Sequence, residues 1–400
     1  MTSPTAGRGH PAAGAAWPQD EGTAPEADEE DIVRIGVPRE IKKHEYRVAL
    51  TPPGVHELTR RGHAVYVEAG AGAGSAIADA EYAGAGATVL DRAEDVWGEA
   101  ELLLKVKEPI ASEYGHLREG LVLFTYLHLA ADRPLTEALL AGGSTALAYE
   151  TVQAEDGTLP LLAPMSEVAG RLAPQVGAAA LLRPSGGRGL LPGGVPGVHP
   201  AKVTVIGAGV AGRGAAGIAV GLGADVEVLD TKLDRLSRLD QEFTGRVRTV
   251  YSTTLSVADA VTNADLVIGA VLVPGAKAPT LVSHELVAGM KPGSVVVDVS
   301  IDQGGCFADS RPTTHDDPTY LVGDTVFYCV TNMPGAVPRT STFALTNATM
   351  PYVLRIAELG WRDAAAEDPA LAGGLNTHAG ELTNEPVAKA HGIRFTEPHL

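Results

Sequence analysis

Residues 202–230 read KVTVIGAGVAGRGAAGIAVGLGADVEVLD, and this stretch decides the fold around it. Its first five residues form a strand-like run in which the last four, residues 203–206, are all β-branched and mostly apolar, which is typical of a buried parallel strand. Gly207, Gly209 and Gly212 follow in G-x-G-x-x-G spacing, and an Ala- and Gly-rich segment without proline then predicts a close-packed helix. Residues 226–229 predict a second strand, which Asp230 ends.

Each part of this β-α-β pattern has a physical role in binding a dinucleotide. The glycines allow a tight turn, close approach of a pyrophosphate to the backbone, and contact between helix and strand. Free N–H groups and the dipole at the helix start favour the anionic pyrophosphate. Asp230 stands where an acid accepts hydrogen bonds from a ribose 2′-OH. Because all parts occur in the right order, the pattern favours a dinucleotide site over a purely structural turn.

Composition limits the remaining possibilities. A chain of 400 residues predicts two or three domains. Asp and Glu outnumber Lys and Arg by 49 to 31, and the resulting charge of −18 argues against nucleic acid or an anionic membrane as a partner. Cys306 and Cys329 lack metal-ligand spacing, and so few thiols suit a reducing cytosol. No apolar run approaches the roughly 18 residues of a membrane span.

The first residues differ in composition from the rest. Residues 1–31 are rich in Pro, Ala, Gly and acidic side chains, and they lack the apolar core of a signal peptide. They predict a disordered, acidic N-terminal extension, with the ordered chain beginning at residue 32.

Three polar residues in the first half, Arg47, Lys107 and His128, each come after a strand-like run. The carboxyl ends of parallel strands line the ligand crevice in α/β folds, and a guanidinium suits a small carboxylate. Each residue also has a structural interpretation: a surface ion pair for Arg47, a snorkelling side chain for Lys107, and a satisfied structural histidine for His128. The residues alone leave these alternatives open.

The second half adds further candidates. A helix over 160–182 is predicted to begin with Ser166 as its N-cap. Asp302 follows another apolar strand in a Gly-flanked loop, where it is either catalytic or a loop-capping acid. Asn332 and Met333 lie on a Pro- and Gly-containing turn, and the segments after it, to residue 400, predict polar helices.

The chain resembles the family of the L-alanine dehydrogenases and the NAD(H)-binding subunit of transhydrogenase. The resemblance extends from residue 32 to about residue 398 and is carried by the stretches GVPREIKKHEYRVALTPPGV, LLLKVKEP, LFTYLHLA, LAPMSEVAGRLAPQVGA, VIGAGVAG, DVSIDQGGC and NMPGAVPRTSTFALTNATMPY. His44 is a departure, since the family more often carries Asn or Glu there.

This resemblance implies an α/β fold with two Rossmann-like, doubly wound domains and a cleft between them. The NAD-binding domain is expected over residues 161–338. The substrate domain is expected to combine residues 32–160 with the C-terminal segment 339–400.

The resemblance also implies a function, the NAD-dependent oxidative deamination of L-alanine to pyruvate and ammonia and the reverse reaction. Arg47 would bind the substrate carboxylate, and Lys107 the carboxylate or keto oxygen. His128 would be the acid/base, with Asp302 as its partner across the cleft. The residues implied to bind NAD are Ser166, Gly207, Gly209, Gly212, Asp230, Ser252, Asn332 and Met333. No metal is implied, and the family implies a cytoplasmic homo-oligomer, usually a hexamer.

Three alternatives fit parts of the same pattern. A saccharopine-type dehydrogenase shares the Lys/His pair but takes a larger substrate. A transhydrogenase subunit should lack the histidine of LHLA, which is His128 here. A non-catalytic NAD-binding module would keep the glycines and Asp230 but lose His128 or Asp302.

Overall fold

The computed structural model describes residues 32–271 and 278–400. The predicted N-terminal extension, residues 1–31, and residues 272–277 therefore lie outside the described residues.

Strands and helices alternate along most of the described chain. The strands are β1 (Arg34–Val37), β2 (Ala64–Glu68), β3 (Thr88–Leu90), β4 (Leu102–Leu104), β5 (Val122–Thr125), β6 (Thr145–Ala148), β7 (Lys202–Ile206), β8 (Asp225–Asp230), β9 (Val247–Tyr251), β10 (Leu266–Gly269), β11 (Val295–Asp298), β12 (Thr319–Val322), β13 (Thr325–Tyr328), β14 (Leu375–His378) and β15 (Glu381–Leu382). The helices are α1 (Pro52–Arg60), α2 (Asp79–Gly84), α3 (Ala93–Glu99), α4 (Arg133–Gly142), α5 (Ala163–Ala180), α6 (Val210–Gly221), α7 (Leu233–Phe243), α8 (Thr254–Asn263), α9 (His284–Ala288), α10 (Pro338–Glu367), α11 (Pro369–Gly373) and α12 (Glu385–His391).

Within these described ranges the strands form two sheets. The first has the order β15-β14-β6-β5-β4-β1-β2-β3, and the second has the order β12-β13-β11-β10-β7-β8-β9. In both sheets the first six parallel strands follow the doubly wound order 3-2-1-4-5-6, in which the order reverses beside the first strand. The predicted α/β fold with two Rossmann-like domains is confirmed.

The central parallel strands β4, β6, β10, β11 and β13 are buried on both faces, as their unbroken apolar runs predict, whereas the edge strands β3 and β9 are partly exposed. In β7, Val203 and Val205 pack into one apolar cluster of the second sheet, and Ile206 packs into the cluster on the other face. Cys306 and Cys329 are free thiols buried in this second cluster. The two cysteines therefore occupy core positions.

The C-terminal segment corrects one prediction. Residues after 354 were expected to be helical throughout, but β14 and β15 form a hairpin that extends the first sheet. β14 pairs antiparallel with β6, with Thr377 opposite Ala146. The short strands carry no long period-2 pattern, so the sequence signal for them is weak.

The prediction for the start of α5 was also wrong. The helix begins at Ala163, with Leu162 at the N-cap, so Ser166 is its fourth residue. Pro164 lies in the first turn, where a missing N–H costs no hydrogen bond, and this moves the start upstream of Ser166.

The two sheets meet along a cleft bridged by the loop after β1. Lys43 pairs with Asp316 at 2.7 Å, and His44 lies 3.1 Å from the same carboxylate. Arg47 Nη2 donates to Asn332 Oδ1 at 2.9 Å. The loop thus joins the first sheet to residues that follow the strands of the second.

Candidate active site

The loop between β7 and α6 forms a cradle of backbone, and two of its glycines, Gly207 and Gly212, have no room for a side chain. Gly207 has φ = 106°, a left-handed conformation that glycine adopts most readily. A Cβ on Gly212 would lie 1.7 Å from the Gly207 carbonyl oxygen, so only glycine lets the helix approach the strand this closely. Above Gly209, the nearest atom to an added Cβ is Arg235 Nη1 at 3.8 Å, and this side of the loop is open.

Asp230 lies at the end of β8, directly beside this cradle. Its Oδ2 accepts a hydrogen bond from the Ala208 N–H at 2.7 Å, and its Oδ1 accepts one from the Lys232 N–H at 2.8 Å. Arg235 Nη1 is 3.5 Å from Oδ2. The carboxylate is thereby fixed next to the glycine loop.

Two predicted serines lie on the same side of the second sheet. Ser252 follows β9, and its N–H donates to the Asp230 carbonyl oxygen at 2.9 Å. Ser166 lies one helical turn before Gly170, where α5 approaches α6 so closely that an added Cβ would be 2.1 Å from the Ala211 oxygen. Residues four apart share a helix face, so Ser166 faces the start of α6.

These features fit a dinucleotide. The first N–H groups of α6 have no partner within the helix and point toward the glycine loop, which suits a pyrophosphate. A side chain at Gly207 or Gly212 would collide with neighbouring backbone and distort the cradle, and Asp230 supplies the acceptor for a ribose hydroxyl.

Arg47 is buried rather than on the surface, with 2% of its area exposed. Its Nε and Nη2 donate to the two carboxylate oxygens of Glu45, each at 2.6 Å. Burial disfavours the charge of Arg47, but the Glu45 carboxylate outweighs burial and raises its pKa. Arg47 therefore forms an ion pair that is buried, not the surface ion pair considered from the sequence. Its partner Glu45 was not among the predicted residues.

Asn332 links this pair to the second sheet. Its Oδ1 accepts from Arg47, and its Nδ2 donates to Glu45 Oε2 at 3.0 Å. Asn332 has φ = 56°, and Met333 beside it is buried in the core against the second sheet. The turn thus carries Asn332 and Met333, both expected to bind NAD, and Asn332 contacts Arg47, which is expected to bind the substrate.

Lys107 comes soon after β4, and its backbone is held from both sides. Its N–H donates to Glu40 Oε1 at 3.2 Å, and its carbonyl accepts from Thr125 Oγ1 at 3.1 Å. Burial and the nearby Arg47 charge lower the pKa of Lys107, while Glu108, Asp302 and Glu45 oppose the shift. Lys107 is thus within electrostatic reach of both Arg47 and Asp302.

A buried charge cluster lies behind Lys107. Lys105 Nζ donates to Glu40 at 3.2 Å and to Glu113 at 2.9 Å, and Lys105 is only 1% exposed. Burial opposes the lysine charge, but the two carboxylates raise its pKa. Lys105 therefore has a structural role, because its ammonium group is enclosed by the two carboxylates. Glu40 and Glu113 were not predicted.

His128 is exposed at the end of the β5 run. Its ring lies parallel to that of Tyr126, with centroids 5.9 Å apart and an 8° angle. Neither ring nitrogen hydrogen-bonds to a residue in the described ranges, so both are free for a ligand. This geometry disfavours the satisfied structural histidine.

Asp302 lies in a 3-10 turn, Val299–Gln303, and is exposed. The buried Asp298 anchors this turn by accepting from the Ser300 N–H at 3.0 Å and from Ser310 Oγ at 2.6 Å. Burial raises the pKa of Asp298. The loop-capping role considered for Asp302 therefore belongs to Asp298.

The structure thus arranges the predicted residues in two groups. The glycines, Asp230, Ser166 and Ser252 surround the start of α6. Lys107 lies within electrostatic reach of both Arg47 and Asp302. His128 lies within reach of Glu108, whose pKa both Lys107 and His128 help to lower against burial. Asn332 links the two groups, because it follows a strand of the second sheet and hydrogen-bonds to Arg47.

None of the helices in the described part of the chain is long and apolar enough to cross a membrane.

Comparisons with known proteins cover most of the chain. Models of the N-terminal and C-terminal domains of the alanine dehydrogenase/PNT family match residues 36–169 and 173–385. The alanine dehydrogenase of Mycolicibacterium smegmatis is 64% identical over 363 residues, which is 91% of this chain and 98% of that protein.

Solved structures give the same result. A structure of an L-alanine dehydrogenase superposes with a TM-score of 0.87 and 51% identity, covering 90% of this chain and 99% of the other. A transhydrogenase from Sinorhizobium meliloti superposes with a TM-score of 0.76 and 27% identity, covering 88% and 99% of the two chains. The chain therefore belongs to the alanine dehydrogenase/PNT family.

Proposed function

We propose that this chain catalyses the NAD-dependent oxidative deamination of L-alanine and its reversal. The reaction converts L-alanine, NAD and water into pyruvate, ammonium, NADH and a proton. The observation that carries the proposal is the grouping of two cations and two acid/base candidates at one cleft, beside a cradle that fits a dinucleotide. The high identity to alanine dehydrogenases supports the choice of substrate.

Each residue has a role that its chemistry allows. Arg47 and Lys107 hold the substrate carboxylate, which fixes the orientation of the reacting carbon. His128 takes a proton at its free ring nitrogen from the water that attacks the substrate iminium. Asp302, on the opposite sheet, stabilises the cationic iminium.

The residues around α6 would hold NAD, which supplies the hydride acceptor when bound. The glycine loop and the α6 N-terminus bind the pyrophosphate, and Asp230 accepts from the ribose. Ser166, Ser252, Asn332 and Met333 complete the lining. His128 is free to move protons because neither of its ring nitrogens is hydrogen-bonded to a described residue.

A panel of substrates tests this function. The purified chain with NAD should reduce the cofactor with L-alanine, and stoichiometric pyruvate and ammonium should form. Lysine with 2-oxoglutarate and NADH is the control for the saccharopine-type alternative. Turnover of that pair without turnover of alanine or pyruvate would contradict the proposal.

We expect NAD to be preferred over NADP. The Asp230 carboxylate accepts from the ribose 2′-OH but repels a 2′-phosphate, so kcat/KM should favour NAD by at least about tenfold, or ~1.4 kcal/mol. Steady-state kinetics with both cofactors measure this preference. Equal kcat/KM values would show that Asp230 does not discriminate between a ribose 2′-OH and a 2′-phosphate.

Binding of the 2-oxo acid should weaken at alkaline pH. Because its pKa is lowered, Lys107 loses its proton at a lower pH than an ordinary lysine as the pH rises. We therefore expect the inhibition constant of oxamate, a non-reactive pyruvate analogue, to rise in the alkaline range. Lys107→Arg stays charged and should lose this rise, whereas an identical pH dependence in both proteins would exclude Lys107 as the titrating group.

We also propose the division into a substrate domain of residues 32–160 and 339–400 and an NAD domain of residues 161–338. The return of β14 and β15 to the first sheet supports this division. We further propose a cytoplasmic homo-oligomer, with a hexamer as the form that the family resemblance implies. Size-exclusion chromatography with light scattering would contradict it by giving the mass of one chain.

A further inference from the structure

We propose that Glu150 is the positioning residue that holds His128 in place. The inference rests on the proposed role of His128 as acid/base. Glu150 does not reach the substrate in this assignment and acts only through the main chain of its neighbour.

The contact follows from the register of two adjacent parallel strands. β5 and β6 are paired up to Thr125 and Ala148. Beyond Ala148 the chain leaves the sheet as a 3-10 turn, Tyr149–Thr151, so the backbone of β6 no longer supplies acceptors to the β5 side. Glu150 lies two residues past the last pair, opposite the run that leads to His128.

The Glu150 carboxylate replaces the missing acceptors. It accepts from the His128 N–H at 2.6 Å and from the Leu127 N–H at 3.2 Å to each oxygen. Bonds from N–H groups to an ionised carboxylate are stronger than those to a neutral acceptor. Two successive N–H groups are therefore anchored to one half-buried side chain.

His128 needs such an anchor because its backbone is strained. Its φ of 51° and ψ of 35° lie in the left-handed region, which is unfavourable for residues other than glycine. This conformation brings its ring parallel to that of Tyr126, whose hydroxyl is in turn fixed to the Leu161 carbonyl oxygen at 2.6 Å. Without the carboxylate, the backbone is free to relax and the ring loses its orientation toward the cleft.

The test is a double-mutant cycle. Glu150→Ala should lower kcat by between about tenfold and a hundredfold, the typical cost of a small misplacement of a catalytic group. The Kd for NADH, measured by fluorescence titration, should not change. The double variant His128→Ala/Glu150→Ala should turn over no more slowly than His128→Ala alone, because Glu150 acts through the missing ring. Glu155→Ala, an exposed acid in the following loop, is the control and should keep wild-type kcat.

Two results would overturn the inference: a wild-type kcat in Glu150→Ala, or a double variant slowed by the product of the two single effects. If Glu150→Ala does not fold, Glu150→Gln decides the question. Its neutral amide keeps the shape but places a donor against one N–H, so kcat should fall several-fold with the same non-additivity. A wild-type kcat in Glu150→Gln would then reject the role. A wild-type kcat in His128→Ala would instead contradict the proposed function.

Discussion

Replacing His128 by Ala is expected to lower kcat for reductive amination by at least about 100-fold, the lower bound for a general acid/base. The melting temperature should change little, because the exposed ring has no hydrogen bond to the described residues. Asp302→Asn removes the charge that would stabilise the iminium and should be similarly damaging. Because the two residues act together, the double variant should lose little more than the worse single variant.

A matched control separates chemistry from packing. His116 also stacks on an aromatic ring, that of Trp97, with centroids 5.3 Å apart, but it precedes β5 whereas His128 follows it. His116→Ala should keep wild-type kcat. Near wild-type kcat in His128→Ala would refute the assignment of the acid/base.

The second large effect is expected at Arg47. Arg47→Lys keeps the charge but loses the planar fork, so the KM for pyruvate should rise roughly tenfold or more, the effect of losing one or two charge-assisted hydrogen bonds. NADH binding should stay at the wild-type value. Arg39→Lys is the control, because Arg39 is an exposed arginine near the same loop. Loss of NADH binding with normal substrate saturation would show that the division between the two groups of residues is wrong.

Arg47→Ala should also unfold more easily. Removing the guanidinium leaves the Glu45 carboxylate buried without its main partner, which typically costs about 3–5 kcal/mol. Urea denaturation measures this cost. The variant Glu45→Gln/Arg47→Met, which removes both charges, should recover much of the lost stability, and failure to recover would argue that the pair is not the cause.

The local patterns were good predictors of the parallel sheets. The apolar run of β7, the glycine spacing and the acid at Asp230 together determine one β-α-β unit, and the structure has it at residues 202–230. The positions of Lys107, His128 and Asp302 shortly after strands, and of Arg47 in the loop after β1, followed from the same logic, since each follows an apolar run. The roles of these four residues stay predictions.

The partners of these residues could not be predicted. Glu45 is two residues from Arg47, and only the folded loop shows that their side chains form a bidentate pair. Glu150 reaches His128 because β5 and β6 are neighbours in the sheet, and this pairing is a feature of the tertiary structure that the local sequence does not reveal. Lys105 and Lys107 are alike in sequence, yet Lys105 pairs with two buried glutamates, whereas Lys107 lies within electrostatic reach of Arg47 and Asp302. The antiparallel β14 is short and is defined by its pairing with β6 more than by its own residues.

The return of β14 to the first sheet has a consequence for synthesis. All strands of the second sheet are translated between β6 and β14, and at ribosomal speeds of about 5–20 residues per second this interval lasts roughly ten to forty-five seconds. During that time β6 is an unpaired sheet edge, a known risk for association between chains. The second sheet, by contrast, is continuous in sequence. It can therefore fold completely before β14 and β15, the last two strands of the first sheet, have been synthesised.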